Sequence, residues 1–153
     1  SQYTSTPNMP NMVNPRTGDI NLRNMPANNN FTDNVDITIN LDDSTAVGPN
    51  GAHVAVRFAY PTESNGDGTG PIWFCATPQP GQPKNPAQIP NPPGMSTGEN
   101  TSSQVYLNDD QPDGGSSYSF CLAVVVPSVS GTPITIDPIV SGKGKTSTFM
   151  LKQ

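Results

Sequence analysis

Charge is scarce in this chain. Charged residues make up 12% of its 153 positions, against about 25% in an ordinary soluble domain. Its 7 Lys and Arg are scattered, and the net charge is −5. Neutralising nucleic-acid phosphates takes several basic side chains on one face, so DNA and RNA are not expected partners. Long apolar runs are also absent. Nothing approaches the roughly 20 apolar residues a membrane-spanning helix needs, and no membrane insertion is expected. Histidine occurs once and cysteine twice, too few for a tetrahedral zinc site. The one histidine, His53, follows Gly51 and Ala52 at a strand start. It lacks the serine-bearing elbow that would make it a catalytic base.

Helical patterning is missing too. Val and Ile far outnumber Leu, and branching at Cβ suits a pleated surface better than a helix. Even residues 27–47, which contain neither Pro nor Gly, show apolar residues in alternation and not every third or fourth position. Asn, Ser, Thr, Gly and Pro fill the space left by charge, with 18 prolines and 14 glycines beside a hydrophobic fraction of 32%. Such a chain folds around a thin core with much irregular backbone. Its low-charge composition suggests an extracellular, cell-surface or particle-associated setting.

Residues 1–30 read as an extended N-terminal arm. They show no strand-length alternation but carry Met9, Met12 and Met25 among prolines and asparagines. Methionine fills irregular grooves, and proline lowers the entropy lost when an extended segment docks. A flexible tail is the simpler expectation, and an arm that lies on a neighbouring subunit is the sharper one.

Residues 31–153 read as one domain. Val35, Ile37 and Ile39 alternate with Asp36, Thr38 and Asn40, the pattern of a strand with one wet face. Gly48-Pro49-Asn50-Gly51 is turn chemistry. Residues 53–60 alternate again, with Val54, Val56, Phe58 and Tyr60 on one side and Arg57 on the other. Residues 72–77 and 118–126 are apolar on both faces and predict central, doubly covered strands. Between them lies a proline-rich segment, 78–100, expected to be a long loop, followed by a short strand at 104–107. Residues 134–136 and 146–151 complete the set, with a glycine hairpin tip at 141–145. About seven short strands predict an all-β fold, a two-sheet antiparallel β-sandwich on an immunoglobulin-like or jelly-roll plan. A small barrel is the alternative.

Cys75 and Cys121 each fall in a predicted central strand, with Trp73 two residues before Cys75 on the same face. A disulfide between sheets, packed on a tryptophan, is one expectation, and would contribute about 2–4 kcal/mol. Two buried thiols acting as small hydrophobes are the other.

Two acidic turns offer oxygen ligands. Glu63, Asn65 and Asp67 alternate before Gly68, like the first half of a calcium loop. Glu stands at the first position, however, and Phe74 occupies the twelfth, where a bidentate Glu belongs. A looser calcium site would recruit Asp109, Asp110 and Asp113 from the second turn. Solvated turns are the simpler account. Asp42/Asp43 and Asp109/Asp110 are adjacent in sequence, so they do not suggest the paired carboxylates of a glycosidase, which face each other across a cleft about 5–9 Å wide.

No catalytic motif or cofactor fingerprint emerges, and the chain is expected not to be an enzyme. Two functions compete. One is a structural or assembly subunit, of a surface appendage, a virion or filament, or an inclusion, that self-associates through its arm and strand edges. The other is a carbohydrate-binding module or lectin, calcium-assisted or not, with Trp73, Tyr60, Tyr106 and Tyr118 as candidate sugar-stacking aromatics.

Overall fold

The computed structural model describes residues 11–24, 35–63, 70–77, 79–82, 85–110, 116–128, 133–136 and 138–141. Among these there is no α-helix. One 3₁₀ turn, Leu22–Asn24, interrupts an otherwise β and irregular chain.

The strands run β1 (Ile20–Asn21), β2 (Val35–Asn40), β3 (Arg57–Phe58), β4 (Ile72–Ala76) and β5 (Asn85–Gln88). They continue with β6 (Met95–Thr101), β7 (Gln104–Asp109), β8 (Ser117–Val125), β9 (Ile134–Ile136) and β10 (Ile139–Ser141). They form two sheets. The larger has seven strands in the order β1-β10-β8-β4-β5, with β3 and β9 also paired to β8, and the smaller has three in the order β2-β7-β6. All pairings are antiparallel except β1 with β10, which is parallel.

Strand β8 is the organiser, pairing with four others. Its seven consecutive buried residues satisfy both faces of a central strand. Phe120, Leu122 and Val124 point to one side, where they join Phe58, Ile72 and Phe74 of the large sheet. From the small sheet, Met95, Val105 and Leu107 enter the same cluster. The two sheets thus share one apolar core, and each large side chain wholly removed from water there contributes about 1.5–3 kcal/mol. On the other face of β8, Cys121, Ala123 and Val125 join Ala59, Trp73 and Cys75 in a second buried cluster.

Local chemistry explains the corners. Gly51 donates its N–H to the Gly48 carbonyl, Gly48 donates to Ala52, and Gly51 sits at φ 76°. This is the three-residue hairpin loop with a left-handed third residue, and Pro49 and Asn50 suit its first two positions. Pro93-Gly94 makes the turn into β6, where Met95 N–H donates to Pro92 and Gly94 has φ 75°.

Four expectations change. Segment 78–100 is not one long loop: it contains β5 and β6. Its prolines punctuate the strands and leave 95–101 free of proline, so pairing resumes there. Alternation through 53–60 yields only the two-residue strand β3. Val54 and Val56 are half-buried and Phe58 is buried, but Tyr60 is 48% exposed because a Tyr60–Glu63 turn begins there. Ser141, expected to open a glycine hairpin tip, is instead the last residue of a paired strand, Ile139–Ser141.

Finally, residues 11–24, within the expected arm, fold onto their own domain. Asn14 closes a small loop, Asn21 N–H donates to the Met12 carbonyl, and β1 adds to β10. Ile20 and Leu22 are buried, and the Asp19 carboxylate accepts the Ile139 N–H at 2.8 Å. Met9 and Met25 lie outside the described residues, as do 146–151.

Candidate functional site

Successive side chains of a strand point to opposite faces. In the small sheet the inward set of β7, Val105, Leu107 and Asp109, is buried, so the outward set forms the solvent face. Register gives that face three rows. Asp36, Asn108 and Ser96 make the first; Thr38, Tyr106 and Gly98 the second; Asn40, Gln104 and Thr101 the third. A register shift between Glu99 and Thr101 leaves Asn100 beside the third row. At ~3.4 Å per residue and ~4.8 Å between strands, the face measures about 13 Å by 10 Å.

The centre of this face is a tyrosine lying over a glycine. A Cβ placed on Gly98 would come within 2.5–2.6 Å of the Tyr106 hydroxyl, Cε1 and Cζ. Only glycine permits this approach, which brings the Tyr106 ring down onto the backbone of β6. Covering a sheet glycine with an aromatic ring also stabilises the pairing itself.

Around the ring, side chains hold one another in place. Gln104 Nε2 donates to Asn40 Oδ1 at 2.7 Å, and Asn100 Nδ2 donates to Gln104 Oε1 at 3.0 Å. On the opposite flank Asn108 Nδ2 donates to Asp36 Oδ1. Each amide has two N–H groups and two carbonyl lone pairs, so these ladder bonds orient the amides without using up their hydrogen-bonding capacity. Asp36 is the one acidic or basic residue among these positions. The face is thus a set of oriented neutral donors and acceptors around an aromatic ring.

The other aromatics are placed differently. Trp73 is 1% exposed and belongs to the second core cluster. Tyr118 packs against the main core and meets Phe74 edge to face, with ring centroids 6.4 Å apart. Tyr60 is exposed but lies beneath the Arg57 guanidinium, 3.9 Å from the ring centroid.

The expected calcium ligands do not come together among the described residues. Glu63 is engaged by Arg57 through two bonds of 2.7 and 2.8 Å and by the Tyr60 N–H at 2.8 Å. These partners hold its carboxyl down at about 2, first through the Arg57 hydrogen bonds. Asp109 is buried at the end of β7, whereas Asp110 is exposed. Asn65, Asp67 and Asp113 lie outside the described residues. No group of three or more His, Cys, Asp or Glu among the described residues is arranged to hold a metal.

Cys75 and Cys121 do not link the two sheets. They lie on adjacent strands of one sheet, β4 and β8, both buried, with the Cys121 thiol donating toward Cys75 Sγ at 2.8 Å. Trp73 stands directly opposite Cys121 in register, so the expected packing of the pair beside the tryptophan is present within a sheet.

Sequence reasoning identified the wet face of β2 and Tyr106, but missed Gly98, Asn100 and Gln104 as parts of one surface. The available signal was polar residues at every second position, Asp36-Thr38-Asn40 and Gln104-Tyr106-Asn108. Placing Gly98 beneath Tyr106 required the register of β6. No protein-family model, curated protein or solved structure matches the chain.

Proposed function

We propose that this chain is a non-catalytic β-sandwich domain that binds neutral carbohydrate on the outer face of its small sheet. One observation carries the reading: the Tyr106 ring laid over Gly98 between flanking rows of oriented amides. A sugar ring has an apolar C–H face that stacks on an aromatic and a rim of hydroxyls that pair with amide groups. A single carboxylate and no Lys or Arg on the face favour an uncharged ligand over a phosphate or sulfate. The test is a screen of neutral oligosaccharides followed by calorimetry. The expected result is binding that Tyr106→Ala weakens tenfold or more and that Gln104→Ala weakens without unfolding the protein. No binding across the screen overturns the reading. Binding unchanged in Tyr106→Ala also overturns it.

A second reading, self-assembly of an extracellular or particle-associated subunit, has its own support. Residues 11–24 already act as an added strand at the β10 edge, and the same segment of another copy presents the same chemistry. Light scattering of the full chain against a deletion of residues 1–30 tests it. An oligomer that survives the deletion removes this reading.

A further inference from the structure

We infer that Cys75 and Cys121 are joined by an intramolecular disulfide in the mature protein, stapling the two central strands of the large sheet. The inference is independent of the carbohydrate reading. The pairing of β4 with β8 fixes the geometry, because Cys75 is registered with Ser119 and Cys121 with Trp73. The cysteines are therefore diagonal neighbours on one face, a spacing that two short side chains bridge only where strand twist draws that diagonal together. Their Sγ atoms approach to 2.8 Å.

The surroundings favour bonding over other cysteine chemistry. Both cysteines are buried, at 3% and 0% exposure, among Ala59, Trp73, Ala123 and Val125. The residues packed around the pair are uncharged, and the side chain directly opposite Cys75 in register is the neutral Ser119. A nucleophilic or metal-binding role therefore finds no support here.

The chemistry balances with a small-molecule disulfide such as oxidised glutathione as the oxidant. During folding, before the cluster closes, one cysteine thiolate attacks a glutathione sulfur and releases one glutathione thiolate. The second cysteine thiolate then attacks the mixed disulfide at the protein sulfur and releases the other. Two cysteine protons are lost, two cysteine sulfurs are oxidised, and one glutathione disulfide is reduced to two thiols.

The bond closes a loop spanning a sequence separation of 46 residues, long enough for a substantial effect on the unfolded chain. It also implies that the protein matures in an oxidising compartment.

The test is intact-mass analysis of the full chain refolded in a glutathione redox buffer, with alkylation under denaturing, non-reducing conditions. The expected product is two hydrogen atoms lighter than the sequence mass, accepts no alkyl group, and accepts two after reduction. Its melting temperature should lie about 10 °C above that of the reduced chain. Cys75→Ala and Cys121→Ala should each show the same melting temperature in oxidising and reducing buffer. Two alkylated thiols, a glutathione adduct or an intermolecular dimer as the main product would each overturn the inference. The mass result does not depend on either variant folding.

Discussion

Two residues test how side chains are satisfied in this molecule. Glu63 holds Arg57 in a bidentate pair while accepting the Tyr60 N–H, so it pins the turn that follows β3. Its carboxyl is lowered from 4.5 to about 2. A depressed acid stabilises the fold above its unfolded value and loses that contribution as pH falls through the folded one. The stability advantage of the native chain over Glu63→Gln should therefore be full above about pH 4.5 and vanish towards pH 2, as read by urea midpoints across that range. The pair is solvent-exposed enough that the advantage will be small and salt-sensitive. A gap that widens on acidification would contradict the pairing. Ser119 is the opposite case. Its hydroxyl is buried and has no hydrogen-bond partner among the described residues, which costs about 1–3 kcal/mol of desolvation. Ser119→Ala should leave the fold intact and raise its unfolding free energy, by about 1 kcal/mol in urea melts; a clear loss would show that the hydroxyl has a partner.

At the scale of elements, strands β6 and β7 decide the proposed binding face. Gly98→Ala puts a methyl group where the Tyr106 ring now lies, and backbone cannot yield as a flexible side chain can. The ring must swing away from β6. The expected outcome is a loss of carbohydrate affinity comparable to that of Tyr106→Ala, with a far-ultraviolet spectrum still dominated by strand. Unchanged affinity would mean the ring position is irrelevant. Much of this element was hidden in the sequence. Asp36, Thr38 and Asn40 announce a solvent face by their spacing alone, but 78–100 looked like loop because its prolines dominate the count. Only 95–101, the stretch between Gly94 and the Ser102-Ser103 corner, is long enough without proline to pair throughout.

For the molecule as a whole, stability rests on the shared core between sheets. Phe74 is fully buried and belongs to the cluster that both sheets feed. Phe74→Ala should lower unfolding free energy by about 3–5 kcal/mol, measured by chemical denaturation, a large share of the 5–15 kcal/mol typical of a domain. A loss below about 1 kcal/mol would mean that the two sheets do not depend on this packing.

The sequence by itself determined the β class, the two central strands and the Gly48–Gly51 turn. Those properties depend on residues near one another in the chain: alternation sets which face is wet, doubly apolar runs set which strand is covered, and Pro, Gly and Asn set where the backbone can reverse. Tertiary structure alone decided that Cys75 meets Cys121 within one sheet, that Gly98 lies beneath Tyr106, and that Ile20 returns to pair with Val140. The cysteine and Ile20 pairings join strands distant in sequence, so they follow from how the whole core packs, whereas the Gly98–Tyr106 pairing follows from the register that the Ser102-Ser103 corner imposes on β6 and β7.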